Sequence, residues 1–104
     1  MALISSVLRK VEGGYMHWCP ACKGHHMIAV DEPFPNGARW AFDGNVEKPT
    51  FSPSVKVQWT YGEQQEKRCC HYHISAGKIQ FCRDCTHEFA GKTVNLPDLT
   101  EGHE

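Results

Sequence analysis

Two cysteine pairs of identical spacing, Cys19-Pro20-Ala21-Cys22 and Cys82-Arg83-Asp84-Cys85, bracket the centre of this chain and constrain what it can become. Two thiolates three positions apart on a tight turn can both reach one tetrahedral ion at about 2.3 Å. Pro20 stiffens the first turn, and Gly24 is expected to take the left-handed conformation that aims backbone N–H groups at the sulfurs. That arrangement is the knuckle of a zinc ribbon. Six Cys and seven His among 104 residues make metal the leading expectation. A thioredoxin-like redox motif would need a βαβ setting with the pair opening a helix. Here the flanks read as strand, and Gly24 disfavours a helix.

A chain of this length fits one domain, whose small core would gain from a metal clip. Hydrophobic residues at 40% and charged residues at 22% rule out wholesale disorder. Eleven Lys+Arg against twelve Asp+Glu leave a formal charge of −1, which argues against nucleic-acid binding through bulk charge. The opening Met1-Ala2-Leu3-Ile4-Ser5-Ser6-Val7-Leu8-Arg9-Lys10 places its positive charges after the apolar stretch, unlike a signal peptide. No apolar run approaches the roughly 20 residues of a membrane span. The expected compartment is a reducing cytoplasm, where cysteines serve as ligands or small buried apolar groups rather than as bridges.

Gly and Pro punctuate the chain into short pieces, which favours strands and turns. The expected fold is mostly β: a single domain over 1–104 of short antiparallel strands and hairpins around a zinc-ribbon-like site. Segments 1–14 and 98–104 are expected to be peripheral to the core. Residues 2–8 fit a short helix or a strand. Strands are expected at 15–18, 26–30, 39–42, 54–61 and 92–96. Turns are expected at Asn36-Gly37 and Asp43-Gly44. Between Cys69 and Cys82 a two-residue loop at Ala76-Gly77 sets Ile74 opposite Ile79, Tyr72 opposite Phe81 and His71 opposite Cys82. Cys70, Tyr72, Ile74, Ile79 and Phe81 then share an apolar face, and Cys69, His71, His73, Gln80 and Cys82 the other.

The simplest ligand set for the ion is Cys19, Cys22, Cys82 and Cys85, which closes the shell and suits a structural role. His71, opposite Cys82, or His87, two residues beyond Cys85, can replace a thiolate. Mixed ligands with an open position would suit catalysis. His17, His25 and His26 flank the knuckle and read as surface groups or as hydrogen-bonding supports. Cys69 and Cys70 are neighbours on a strand and cannot both point at one metal.

The run Trp18-Cys19-Pro20-Ala21-Cys22 with His26 resembles a family of small Cys/His-rich phage and prophage proteins. So do Pro49-Thr50-Phe51-Ser52-Pro53-Ser54-Val55, Cys70-His71, Asp84-Cys85-Thr86-His87, Ala90-Gly91 and Leu96-Pro97. The family has no established function; its frequent ammonia monooxygenase label implies a membrane assembly, for which this chain has no span. The resemblance implies that Cys19, Cys22, His26, Cys70, His71, Cys85 and His87 are the positions to examine for metal. It also implies that the position of Cys82 is not usually cysteine, which favours Cys85 joined by His71, His87 or Cys70. Ser52 in the Thr50–Ser54 run has no assignable base beside it, so a structural corner is the favoured reading.

The leading expectation for function is a zinc-stapled, non-enzymatic phage-type accessory module that binds another protein, a virion component or a host factor. It rests on a closed ligand set without a convincing catalytic trio. One alternative is a metal-dependent hydrolase or nuclease using His71, His73 and His87 near Cys85, with Asp84 or Glu88 as general base. Another is a nucleic-acid-binding zinc protein, disfavoured by the net charge. No membrane partner is expected. The number of ions, the fourth ligand and the oligomeric state stay open at this level.

Overall fold

The computed structural model describes residues 2–99, all of whose regular elements are strands. Four of them, β1 (Ala2–Leu3), β2 (Arg9–Val11), β3 (Gly14–Cys19) and β4 (Gly24–Ala29), form one antiparallel meander in chain order. The other five, β5 (Ala41–Phe42), β6 (Phe51–Tyr61), β7 (Glu66–Ser75), β8 (Lys78–Phe81) and β9 (Thr93–Asn95), form a second. The expected small all-β fold of antiparallel hairpins is what the chain adopts.

The β7–β8 hairpin has the expected register, with Tyr72 paired to Phe81 and Ile74 to Ile79. Ala76 and Gly77 both take positive φ, 50° and 78°, the type I′ geometry that matches strand twist. Alternation then sends Cys70, Tyr72, Ile74, Ile79 and Phe81 into the core. These side chains meet Leu8, Cys19 and Ile28 of the first sheet in one buried cluster. Tyr15 packs on Phe42 at 4.8 Å between ring centres, and His17 meets Tyr72 edge-on at 5.4 Å. Gly14 fits only because it has no side chain: a Cβ there would stand 2.1 Å from the Ile28 carbonyl oxygen.

Two expectations need correction, and one open alternative is decided. The opening segment is not peripheral, because Leu8 and Val11 are buried and Ser6 accepts a 2.7 Å backbone hydrogen bond from Leu99, itself fully buried. A run of Leu3, Ile4, Val7 and Leu8 satisfies helix and strand patterns equally, and pairing of Ala2–Leu3 with Arg9–Lys10 decides for strand. Lys23 rather than Gly24 takes the left-handed conformation of the knuckle (φ 55°), so Gly24 is free to open β4. Of the expected acidic tail, residues 100–104 lie outside the described residues.

Candidate active site and thiol cluster

The knuckle closes β3 onto β4, with Lys23 N–H donating to the Cys19 carbonyl at 2.8 Å and Cys22 N–H to the Cys19 sulfur at 3.4 Å. This turn packs against the apolar face of β7, where Cys70 points. Ligand atoms of Cys19, Cys22 and Cys70 all lie within 4.8 Å of one another, and the Cys19 and Cys70 sulfurs are 3.9 Å apart. Two sulfurs sharing one tetrahedral ion at about 2.3 Å would stand about 3.8 Å apart, so the spacing fits. His87 Nε2 lies 3.3 Å from the Cys70 sulfur. The Cys19 thiol is held far below its ordinary range, chiefly by hydrogen bonds from Cys22 and Cys70, while the same contacts and burial push Cys70 well up. A divalent cation is what would let all three thiols ionise together.

Of the sequence-level candidates, Cys19, Cys22 and Cys70 meet here, with His87 beside Cys70. Cys85 packs in the same buried cluster but is outside that set of three: its sulfur accepts from the His71 backbone N–H at 3.3 Å, and its thiol donates to the His71 carbonyl at 3.1 Å. Cys82 and His71 fall into a second group with Asp84. Cys69, on the opposite side of β7 from Cys70, is buried under the 82–86 segment, where Thr86 bonds both its backbone groups at 2.9 and 3.0 Å.

The open face of the second sheet carries a different constellation. Between Phe51 and Val55 strand β6 advances four residues while β7 retreats only two, from Ile74 to Tyr72. The surplus forms a bulge, a device that re-aims side chains. Ser54 lies at its end, and the Trp40 indole N–H donates to the Ser54 carbonyl at 3.1 Å, anchoring it from the β5 side. Ser54 Oγ lies 2.9 Å from His71 Nε2. On its other side, His71 Nδ1 is 3.1 Å from both carboxylate oxygens of Asp84. Serine hydroxyl, imidazole and carboxylate therefore form one continuous hydrogen-bonded chain.

The 82–86 segment positions the third member. Cys82 N–H donates to the His71 carbonyl at 2.8 Å, and the Cys85 and Thr86 bonds fasten the segment along β7. Asp84, held between them, meets the imidazole. The His71 hydrogen bond is the main cause of an Asp84 carboxyl held below its usual range, with Lys56 at 3.7 Å adding to it. The carboxylate is therefore ionised and able to orient the ring. His71 is 22% exposed and Asp84 48%, so the trio lies in reach of a large substrate. A groove of about 550 Å³, lined by Gln58, Trp59, Thr60, Lys67, Arg68, Cys69 and Thr86, continues along the same pair of strands.

Sequence reasoning considered Ser52 as a nucleophile and found no base, because the bulge that aims Ser54 at His71 has no signature of its own. The signal available was strand alternation: His71 was already placed on the open face of β7, and Asp84 two residues beyond its partner Cys82.

Among the described residues no helix is long and apolar enough to cross a membrane. Residues 3–82 match a family model described as BubE, bacterial ubiquitination-like system serine protease. That is 80 of the 104 positions, with Ser54 and His71 inside the match and Asp84 two residues past its end. No curated protein and no solved structure matches the chain.

Proposed function

The chain belongs to the family of bacterial ubiquitination-like system serine proteases (BubE), and from that premise we propose that Ser54, His71 and Asp84 are its catalytic triad. The observation that carries this reading is the unbroken hydrogen-bond chain from the Ser54 hydroxyl through His71 to Asp84. The expectation of a non-enzymatic module rested on the lack of a catalytic trio, and that premise no longer stands.

In the proposed reaction His71 Nε2 takes the Ser54 hydroxyl proton as Oγ attacks a peptide carbonyl, giving a tetrahedral intermediate. The same proton then passes from the imidazolium to the leaving amine, and the C–N bond breaks to leave an acyl-Ser54 ester. Water, deprotonated by His71, releases the acid and restores the hydroxyl. Asp84 holds the imidazole in the tautomer that presents a bare Nε2 to Ser54 and stabilises the imidazolium. The family's description suggests a polypeptide of a ubiquitination-like system as substrate. The groove along β6 and β7 is a suitable seat for an extended segment of such a chain. A fluorophosphonate, which phosphonylates only an activated serine, tests the reading directly. It should label Ser54 in the native chain and leave Ser54→Ala unlabelled; labelling that survives this substitution refutes the assignment.

The thiol cluster supports a second proposal, a structural zinc ion held by Cys19, Cys22 and Cys70 with His87 as fourth ligand. Its ligands come from β3, the knuckle, β7 and the segment after β8, so the ion would staple the two sheets and steady the 82–86 segment. The donor set fits zinc: three soft thiolates and an imidazole. None of the described cysteines is in a disulfide. Elemental analysis of the purified chain tests it, with about one zinc per chain expected.

A further inference from the structure

The second metal-capable group is part of the proposed triad. Ligand atoms of His71, Cys82 and Asp84 lie within 4.8 Å of one another. Cys82 stands at the end of β8 with its N–H on the His71 carbonyl, which holds its side chain beside the imidazole rather than leaving the meeting to chance. The group is a half-exposed set of one thiol, one imidazole and one carboxylate, a donor mix suited to zinc. Three protein ligands leave a fourth position for water. In the thiol cluster His87 stands beside Cys70 to take that position. We propose that His71, Cys82 and Asp84 form a reversible inhibitory site for a divalent zinc ion.

The inhibition follows from the atoms used. His71 Nδ1 faces Asp84 at 3.1 Å, and that nitrogen must carry the proton for Nε2 to accept from Ser54. An ion on Nδ1 displaces that proton to Nε2, so the ring donates to the Ser54 hydroxyl instead of accepting from it, and Asp84 turns from imidazole to metal. Cys82 gives up its thiol proton to solvent and becomes a thiolate ligand. With the ion bound, His71 loses its orienting partner, and a positive charge beside the ring opposes formation of an imidazolium. His71 and Asp84 cannot serve the ion and the triad at once, so bound zinc and substrate turnover are mutually exclusive. Cys82 takes no part in the serine chemistry, which makes it the residue that separates the two states.

This inference rests on the triad reading for its inhibitory sense, whereas the ion site itself can be observed without activity. The full chain, preloaded with one equivalent of zinc, is labelled with a fluorophosphonate at increasing free Zn²⁺ set by a metal buffer, alongside Cys82→Ala. Labelling of the native chain should fall about ten-fold or more and recover on chelation, while Cys82→Ala, labelling equally fast without free zinc, should need about ten-fold more of it. Separately, a second equivalent of Co²⁺ should give a thiolate-to-cobalt charge-transfer band that Cys82→Ala lacks. Equal zinc sensitivity of the two chains, or faster labelling with zinc, overturns the proposal. Should Ser54 fail to label at any zinc level, the hydrolase reading fails, and the cobalt band alone decides whether the ion site exists.

Discussion

Ser54 and His71 sit on adjacent antiparallel strands with Oγ and Nε2 2.9 Å apart, although β6 and β7 are in register only from Val55 onward. The contact exists because the bulge ends at Ser54. Its consequence is a division of labour that point substitutions can expose. Ser54→Ala should abolish fluorophosphonate labelling, and His71→Ala should reduce it by about 10⁴ or more. Asp84→Asn should cost about 10² to 10⁴, since an amide can leave the imidazole in the wrong tautomer. Thermal unfolding of the three variants should stay close to that of the native chain, which separates a chemical loss from a structural one.

Cys70 belongs to the thiol group and Cys85 does not, although both pack in one buried cluster, so their substitutions should part company. Cys70→Ser removes a sulfur from the cluster within 4.8 Å of Cys19 and Cys22, so bound zinc and thermal stability should both be lost. Cys85→Ala should keep its zinc. It removes the sulfur that bonds both backbone groups of His71, a loss of about 1 kcal/mol that loosens the 82–86 segment and slows labelling of Ser54. Zinc content measured by elemental analysis decides the matter. Metal retained by Cys70→Ser and lost by Cys85→Ala would return the ligand set to the two Cys-x-x-Cys pairs.

The contrast between those cysteines shows what could be read from the chain. Local periodicity is decisive where one face of a strand is buried. It set the Ala76-Gly77 turn, the pairing of Ile74 with Ile79, and the separation of Cys70 from Cys69. The first Cys-x-x-Cys was legible because its geometry is contained in four residues. Its long-range partner was less so: the repeated spacing made Cys82 and Cys85 look complementary, and only the family resemblance brought in Cys70. Sheet packing instead brought the knuckle against Cys70, whose place on the apolar face was the available clue. The Ser54–His71–Asp84 chain needed a bulge, an indole anchor and a fastened segment at once, and none of these has a pattern in sequence.

Gly14 is the tightest point between β3 and β4. A methyl group there would come 2.1 Å from the Ile28 carbonyl oxygen and 3.1 Å from the Ala29 Cα, both backbone atoms that cannot swing aside. Gly14→Ala should therefore destabilise the fold by about 3 kcal/mol or more, through displaced strands rather than lost contacts. Gly44, with nothing within 4 Å of its virtual Cβ, is the control for crowding, its positive φ costing only local strain of about 1 kcal/mol. Denaturant unfolding should separate the two substitutions clearly.

Tyr72 joins the sheets through a single hydroxyl placed 2.8 Å from His17 Nε2 and 2.8 Å from His26 Nδ1. One O–H can donate to only one of them, so the other imidazole must donate to the phenol oxygen. Tyr72→Phe leaves two ring nitrogens without that partner in the interior and should cost about 1–3 kcal/mol. The same burial governs the response to acid. Desolvation lowers the His17 pKa from 6.5 to about 4, and burial lowers His26 in the same direction. The fold favours the neutral rings, so their contribution is fully present above pH 6.5 and is lost as the pH falls from there towards 4. For His17 the loss reaches about 3 kcal/mol. Unfolding by denaturant across that range, in the native chain and in His17→Gln, isolates this contribution, because glutamine keeps a polar group beside Tyr72 but takes up no proton. The variant should lose less stability than the native chain as the pH drops. Equal losses in both would place the acid sensitivity in other groups, the thiolates of the cluster foremost.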